Sequence, residues 1–126
     1  TALLRNVEGL RLPVERPWAR NVYWMYGVVV EDSFGCSRDE LMAGLAERGV
    51  ETRTFFIPMH EQPVFHQRDL FCNEHYPVAS DLGRRGLYLP SSTGLTEADL
   101  TYVVDAVRDV QRVARQRPAS RASAPR

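Results

Sequence analysis

Most of the candidate residues for acid–base chemistry or ligand binding in this 126-residue chain lie between positions 49 and 75. Residues 50–56 follow a glycine and are rich in β-branched and aromatic side chains, so they predict a β-strand. Pro58 and Pro63 bracket the next segment, which we expect to be an extended loop because proline interrupts both strand ladders and helices. His60 lies in the middle of this loop. Histidine titrates near neutral pH, so His60 is a candidate for functional chemistry, with a plain surface histidine as the alternative.

Alternation along residues 50–56 places Glu51, Arg53 and Phe55 on one face of the predicted strand, with Phe56 on the other. The planar guanidinium of Arg53 suits a carboxylate or a phosphate. The alternative is an ion pair between Arg53 and Glu51, or another carboxylate on the same sheet face. Both interpretations of Arg53 remain open from the sequence.

The remainder of this region, residues 57–75, has no periodicity, and loops of that length are usually functional or disordered. His66, Cys72 and His75 have a spacing that matches no familiar zinc pattern, and a fourth ligand is missing. We therefore predict no metal site and interpret these residues as loop packing. Cys36 and Cys72 form no CxxC motif, so we expect two reduced thiols in a cytoplasmic protein.

The charged residues exclude several classes of function. Sixteen basic residues balance sixteen acidic ones, and every basic residue is arginine. Without a lysine, this chain cannot supply an amine for Schiff-base chemistry. The sequence contains no stretch that combines basic and aromatic residues in the way that would predict a nucleic-acid partner. No apolar run approaches the roughly 20 residues of a membrane helix. The chain starts at Thr1 without an initiator Met, as we expect of a piece of a longer product.

The flanking elements predict an α+β fold with a small sheet of about three to four strands covered by helices. The expected elements are helical turns at 1–8, a connector at 10–21, strands at 22–30, 50–56 and 87–90, and helices at 37–49, 76–85 and from 96 onward. Ser37 and Glu40 form a predicted capping box. Residues 22–56 predict a crossover between parallel strands, unless another strand lies between them. Trp24 and Tyr26 are expected in the core.

Two blocks, GVETRTFFIPMHEQPVF and YPVASDLGRRGLYLPSSTGLTEADLTYVVDAV, resemble the C-terminal part of the pyridoxal-phosphate (PLP)-dependent sugar aminotransferases of the DegT/DnrJ/StrS family. The preceding RNVYWMYGVVV is most similar to the perosamine-synthase branch. The resemblance implies the small α+β C-terminal domain of a fold-type-I enzyme. Its domain organisation would be an interdomain helix end and connector at 1–21, the small domain at 22–115, and a disordered tail at 116–126.

The same resemblance implies a function that this chain performs only in part. Family members are homodimers in which a large domain holds PLP, and they transfer an amino group from glutamate to a nucleotide-linked 4-keto-6-deoxyhexose. The chain would contribute substrate contacts from Arg53, Phe56 and His60, with no catalytic, cofactor-binding or metal-binding residue. The alternative is a stand-alone, non-catalytic α+β binding or interaction module.

Overall fold

The computed structural model describes residues 1–117 and has an α+β architecture, as predicted. A single four-stranded antiparallel sheet has the order β1-β2-β4-β3. The strands are β1 Leu10–Arg11, β2 Tyr26–Val30, β3 Arg53–Thr54 and β4 Gly86–Leu89, and the helices are α1 Arg38–Ala46, α2 Pro63–His66, α3 Pro77–Arg85 and α4 Glu97–Gln116. Nearly all of the predicted disordered tail at 116–126 lies outside the described residues.

Strand β4 forms the centre of the sheet together with β2. Leu87 pairs with Val28 of β2 on one side and with Thr54 of β3 on the other, antiparallel in both cases. Strands β2 and β3 therefore run in the same direction without touching. The predicted crossover between parallel strands occurs here in the form with another strand between them.

The hydrophobic core lies between one face of the sheet and helices α1 and α4. Leu41 and Leu45 of α1 are fully buried, as are Val107 of α4 and Leu87 of β4, and Val28 of β2 is almost completely buried. The apolar side chains of α4 recur at helical spacing, and Val104, Val107 and Val110 among them are buried. No helix within residues 1–117 is long and apolar enough to cross a membrane.

Both core helices begin with a capping box. The predicted one at α1 forms as expected: the Ser37 N–H donates to Glu40 Oε2 at 2.8 Å, and the Glu40 N–H donates to Ser37 Oγ at 3.3 Å. Thr96 and Asp99 make the equivalent pair of hydrogen bonds at α4. These bonds satisfy amides that have no partner within the helix, so they fix where each helix begins.

The predicted strand at 22–30 is too long at its N-terminal end, and the core assignment of Trp24 is wrong. Strand β2 begins only at Tyr26, and the Trp24 side chain is 75% exposed. Tyr23 adopts a left-handed backbone with φ 49°, and its N–H donates to Asn21 Oδ1 at 2.8 Å. This turn interrupts the alternation that would have carried Trp24 into the core. Tyr26 is half-buried and packs against the core as predicted.

The stretch from 50 to 75 also differs from its prediction. Strand β3 covers only Arg53–Thr54, and the region predicted as an extended loop contains a 3₁₀ turn at Met59–Glu61 followed by α2. Pro63 occupies the first turn of α2, where a missing N–H breaks no helical hydrogen bond. The proline that was expected to prevent a helix therefore begins one.

The first eight residues form successive turns instead of the predicted helical turns. The Leu4 N–H donates to Thr1 O at 3.1 Å, and the Val7 N–H donates to Leu4 O at 2.9 Å. Such short segments do not sustain an α-helix on their own, because helix nucleation is unfavourable. Leu4 and Val7 are nevertheless buried in the core. The predicted connector begins with strand β1.

Candidate functional site

The sheet face opposite the core carries an aromatic stack. The Phe55 ring lies on the Tyr88 ring with centroids 4.6 Å apart and planes 24° apart, and the Phe55 N–H donates to Gly86 O at 3.1 Å. A Cβ at Gly27 would lie 2.8 Å from the Phe55 ring, and one at Gly86 would lie 2.3 Å from it. The two glycines therefore let the ring lie directly on the backbone. Arg53 pairs in register with Tyr88 and shares this face.

Arg53 lines a depression of about 480 Å³ beside this stack. Its guanidinium has no carboxylate oxygen within 4.0 Å among residues 1–117, so the alternative ion pair with Glu51 is not formed. Ser91 Oγ donates to the Trp24 carbonyl at 3.2 Å, which ties the segment before β2 to the end of β4. The lining residues are Trp24, Met25, Glu51, Thr52, Arg53, Tyr88, Leu89, Pro90, Ser91 and Ser92.

Phe56 begins an exposed apolar segment after β3. Its side chain is 69% exposed, and its ring centroid lies 6.1 Å from that of Tyr88. Ile57 and Met59 in the same segment are also exposed. Several large apolar side chains in one exposed segment are characteristic of surfaces that contact a ligand or another protein surface.

His60 lies on the 3₁₀ turn and is held against helix α3. Its side chain is 13% exposed, and Nε2 lies 3.0 Å from Ser80 Oγ and 3.4 Å from Glu61 Oε1. The imidazole packs on the Tyr76 ring at 4.8 Å between centroids. The segment that was predicted to be an extended loop presenting His60 is a turn here, and Ser80, Glu61 and Tyr76 fix the orientation of the imidazole.

The hydrogen bonds of Ser80 indicate which ring nitrogen of neutral His60 carries the proton. Ser80 Oγ donates its single proton to Glu61 Oε1 at 2.5 Å, so toward His60 it can only accept. The proton of the neutral imidazole therefore lies on Nε2, and Nδ1 is the acceptor. His60 in its neutral form thus has no donor left for a further partner.

The structure does not bring the three predicted contact residues into one pocket. Arg53 and Phe56 are both close to Tyr88, whereas His60 lines a separate depression of about 590 Å³. That second depression is lined by His60, Glu61, His66, Phe71, Cys72, Glu74, His75, Tyr76, Pro77 and Ser80. Within residues 1–117, no group of three potential ligands is arranged to hold a metal ion. Cys36 is half-buried, Cys72 is exposed, and both are free thiols that form no disulfide.

Two neighbours of these residues were not predicted. Ser80 lies 20 positions from His60, and no local pattern joins the two. Trp24 was missed as a lining residue because its apolar surroundings suggested a buried strand. Asn21 was the available signal, since an asparagine side chain that bonds the backbone two residues later favours a turn.

Comparison with known proteins identifies the family of this chain. A model of the DegT/DnrJ/EryC1/StrS aminotransferase family matches residues 1–108. The chain is 35% identical over 91 residues to a GDP-perosamine synthase of Caulobacter vibrioides, an alignment that covers 72% of this chain and 24% of that protein. It is 30% identical over 89 residues to a GDP-perosamine synthase of Escherichia coli O157:H7, covering 71% and 23%.

A solved structure agrees with this similarity in sequence. DesV of S. venezuelae, crystallised in complex with a ketimine intermediate, superposes with a TM-score of 0.75 at 30% identity, over 87% of this chain and 28% of the DesV chain. The chain thus spans about a quarter of the length of these proteins. The match over residues 1–108 and the identities of 30–35% show that this chain belongs to the DegT/DnrJ/EryC1/StrS aminotransferase family.

Proposed function

We propose that this chain is the small domain of a PLP-dependent sugar aminotransferase. In the whole enzyme, termed the parent below, an amino group moves from glutamate to a nucleotide-linked 4-keto-6-deoxyhexose. The observation that carries this proposal is the similarity to two GDP-perosamine synthases along 71–72% of the chain. Residues 22–115 would be the small domain proper, and residues 1–21 its connection to the large domain.

The residues of this chain do not fit PLP as a covalently held cofactor. PLP enzymes bind the cofactor through a lysine amine, and the 126 residues contain none. We therefore assign the cofactor, and the residues that act on it, to the large domain of the parent. The small domain contributes part of the surface of the active-site cleft. The other parts of the homodimeric enzyme form the remaining walls of that cleft.

On this proposal, Arg53, Phe56 and His60 contact the sugar nucleotide. Arg53 offers an exposed guanidinium to a phosphate or carboxylate, and Phe56 offers an exposed ring beside the sugar. His60 acts through Nδ1, which accepts from a sugar hydroxyl while Ser80 holds Nε2. In this neutral tautomer His60 therefore accepts a hydrogen bond from the sugar rather than donating one.

The proposal is tested by producing the parent and measuring 2-oxoglutarate formed from glutamate in the presence of nucleotide-linked 4-keto-6-deoxyhexoses. We expect 2-oxoglutarate and amino-sugar product in equal amounts by mass spectrometry. The 126-residue chain alone should give neither. A parent that gives no amino sugar with any such substrate would refute the assignment, as would transamination by the separate chain.

The role of His60 has its own test in the parent. His60→Ala removes one hydrogen bond to the sugar, which corresponds to a rise of roughly three- to tenfold in KM for the sugar nucleotide. Bound cofactor should remain, because the lysine that holds it lies elsewhere. Ser80→Ala is the matched variant: it frees Nε2 without removing the imidazole, and we expect a smaller effect. Loss of cofactor in His60→Ala would contradict a substrate-side role.

A further inference from the structure

Glu61 lies in the same depression as His60 and accepts the hydrogen bond of the serine beside it. Its side chain is 43% exposed, and Oε1 lies 2.5 Å from Ser80 Oγ and 3.4 Å from His60 Nε2. Within residues 1–117, the ion pairs of the arginines all involve other carboxylates. The Glu61 carboxylate is therefore directed at Ser80 and His60 without a competing arginine in the described part of the chain.

Ser80 connects Glu61 to His60. It lies near the beginning of α3, and a serine hydroxyl inside a helix often donates to the carbonyl four residues earlier. Here Ser80 Oγ donates to Glu61 Oε1 instead, and it lies 3.0 Å from His60 Nε2. A hydroxyl has a single proton, so a serine that donates to the carboxylate has to accept from the imidazole. The carboxylate thus determines the direction of both hydrogen bonds.

The 3₁₀ turn that carries His60 and Glu61 has a second contact with α3, close to Ser80. A Cβ at Gly83 would lie 2.8 Å from Pro58 Cδ, so the glycine lets the Pro58 ring lie directly on the helix. Gly83 follows Ser80 by about one helical turn. The turn and the helix therefore meet at two successive points, which fixes the carboxylate, the hydroxyl and the imidazole relative to one another.

We propose that Glu61 is a positioning residue that holds neutral His60 in its Nε2-protonated tautomer, acting through Ser80. Without Glu61, the Ser80 hydroxyl can donate to Nε2, and the ring then carries its proton on Nδ1 after exchange with water. The inference rests on the proposed function and deepens it, because the tautomer decides whether Nδ1 accepts or donates. With Glu61 present, Nδ1 accepts from a hydroxyl and has no proton for a phosphate or carbonyl oxygen.

Nitrogen NMR of the full-length protein that contains this chain, isotopically labelled at its histidine rings, reports the tautomer without any turnover. The His60 signals are those that His60→Ala lacks, and the spectra are recorded about two pH units above the ordinary histidine pKa of about 6.5. In the unmodified protein, Nε2 should have the chemical shift of a protonated nitrogen and Nδ1 that of an unprotonated one. Glu61→Leu removes a hydrogen bond to a charged group, so the tautomer ratio should move toward Nδ1–H by about tenfold.

Two further variants supply the control and test the route through the serine. Glu74→Gln is the matched control, because Glu74 lines the same depression but accepts from Tyr76 Oη, and it should leave the His60 shifts unchanged. In a Ser80→Ala background, Glu61→Leu should have a clearly smaller effect, because the hydroxyl that relays it is gone. An effect of the same size with and without Ser80 would mean that the carboxylate acts on the ring directly, and would overturn the relay.

The outcomes separate this inference from the proposed function. If the protein forms amino sugar but Glu61→Leu leaves the His60 shifts unchanged, the inference is wrong and the function stands. If Glu61→Leu moves the proton toward Nδ1 but no amino sugar forms, the function is wrong and the role of Glu61 in setting the tautomer stands. A fall in the unfolding temperature of Glu61→Leu, without a change in the His60 shifts, would make Glu61 a packing residue and overturn the inference.

Discussion

Gly86→Ala is expected to disrupt the stack of Phe55 on Tyr88 at the sheet face opposite the core. The added Cβ would lie 2.3 and 2.4 Å from two Phe55 ring atoms and 2.6 Å from the Leu82 carbonyl oxygen, whereas ordinary contact begins at 3.4 Å. The ring would have to move by about 1 Å, and the carbonyl accepts the Gly86 N–H at the end of α3. Overpacking of this kind costs about 1–3 kcal/mol, and we expect the upper half of that range because one obstacle is backbone.

The assay is thermal unfolding of the chain followed by circular dichroism. A loss of about 2–3 kcal/mol lowers the Tm of a domain of this size by roughly 10 °C. Gly94→Ala is the control, since its Cβ meets only Ser92 Oγ at 3.6 Å, and its Tm should hardly change. Adding Phe55→Leu to Gly86→Ala should restore part of the loss, because the smaller side chain removes one of the two clashes. If Gly86→Ala melted at the temperature of Gly94→Ala, the described packing of Phe55 would be wrong.

Substitutions of Leu45 and Asp109 test the core and a salt bridge at its edge. Leu45→Ala, in the fully buried part of α1, should lower the free energy of unfolding in urea by about 2–5 kcal/mol. Leu100→Ala, at a position that is 41% exposed, should lower it clearly less, and equal losses would contradict the described core. Hydrogen bonds from Arg48 and a second arginine lower the pKa of Asp109 in the folded chain. The contribution of Asp109 to stability is therefore complete above its pKa in the unfolded chain, about 3.9, and is lost as the pH falls through its lower pKa in the folded chain. Asp109→Asn should therefore lower Tm at pH 7, with a difference that shrinks below about pH 4, and a difference independent of pH would refute this linkage.

The parts of the fold that local sequence determines were predicted best. Helix α4 was predicted because its apolar side chains recur at helical spacing from Leu100 to Val113, and α1 because Ser37 and Glu40 mark its beginning. Strand lengths were overestimated at residues 22–30 and 50–56, since a run of β-branched and aromatic residues gives no information about where pairing stops. The length of β3 depends on its pairing with β4, which is distant in sequence and absent from a local pattern. The turn at Tyr23 did have a local signal in Asn21, but the apolar run around it pointed to a strand.

The geometry of the candidate site was predicted less completely than the fold. The alternation of Arg53 and Phe55 correctly indicated a shared sheet face, which the pairing of Arg53 with Tyr88 establishes. The environment of His60 was not predictable, because Ser80 and its neighbours on α3 become adjacent only through tertiary packing. The substrate contacts assigned to Arg53, Phe56 and His60 remain predictions.

The central position of β4 has a consequence for the order in which the chain folds. Strands β2 and β3 share no hydrogen bonds, and both pair with β4, which is the last of the four strands to leave the ribosome. Until residue 89 emerges, β2 has an open edge, and the apolar side chains beneath it lack Leu87 and Leu89. Open strand edges with exposed apolar groups favour aggregation during synthesis. Closure of the sheet therefore waits for the synthesis of β4, and chains that end before it cannot form the four-stranded sheet.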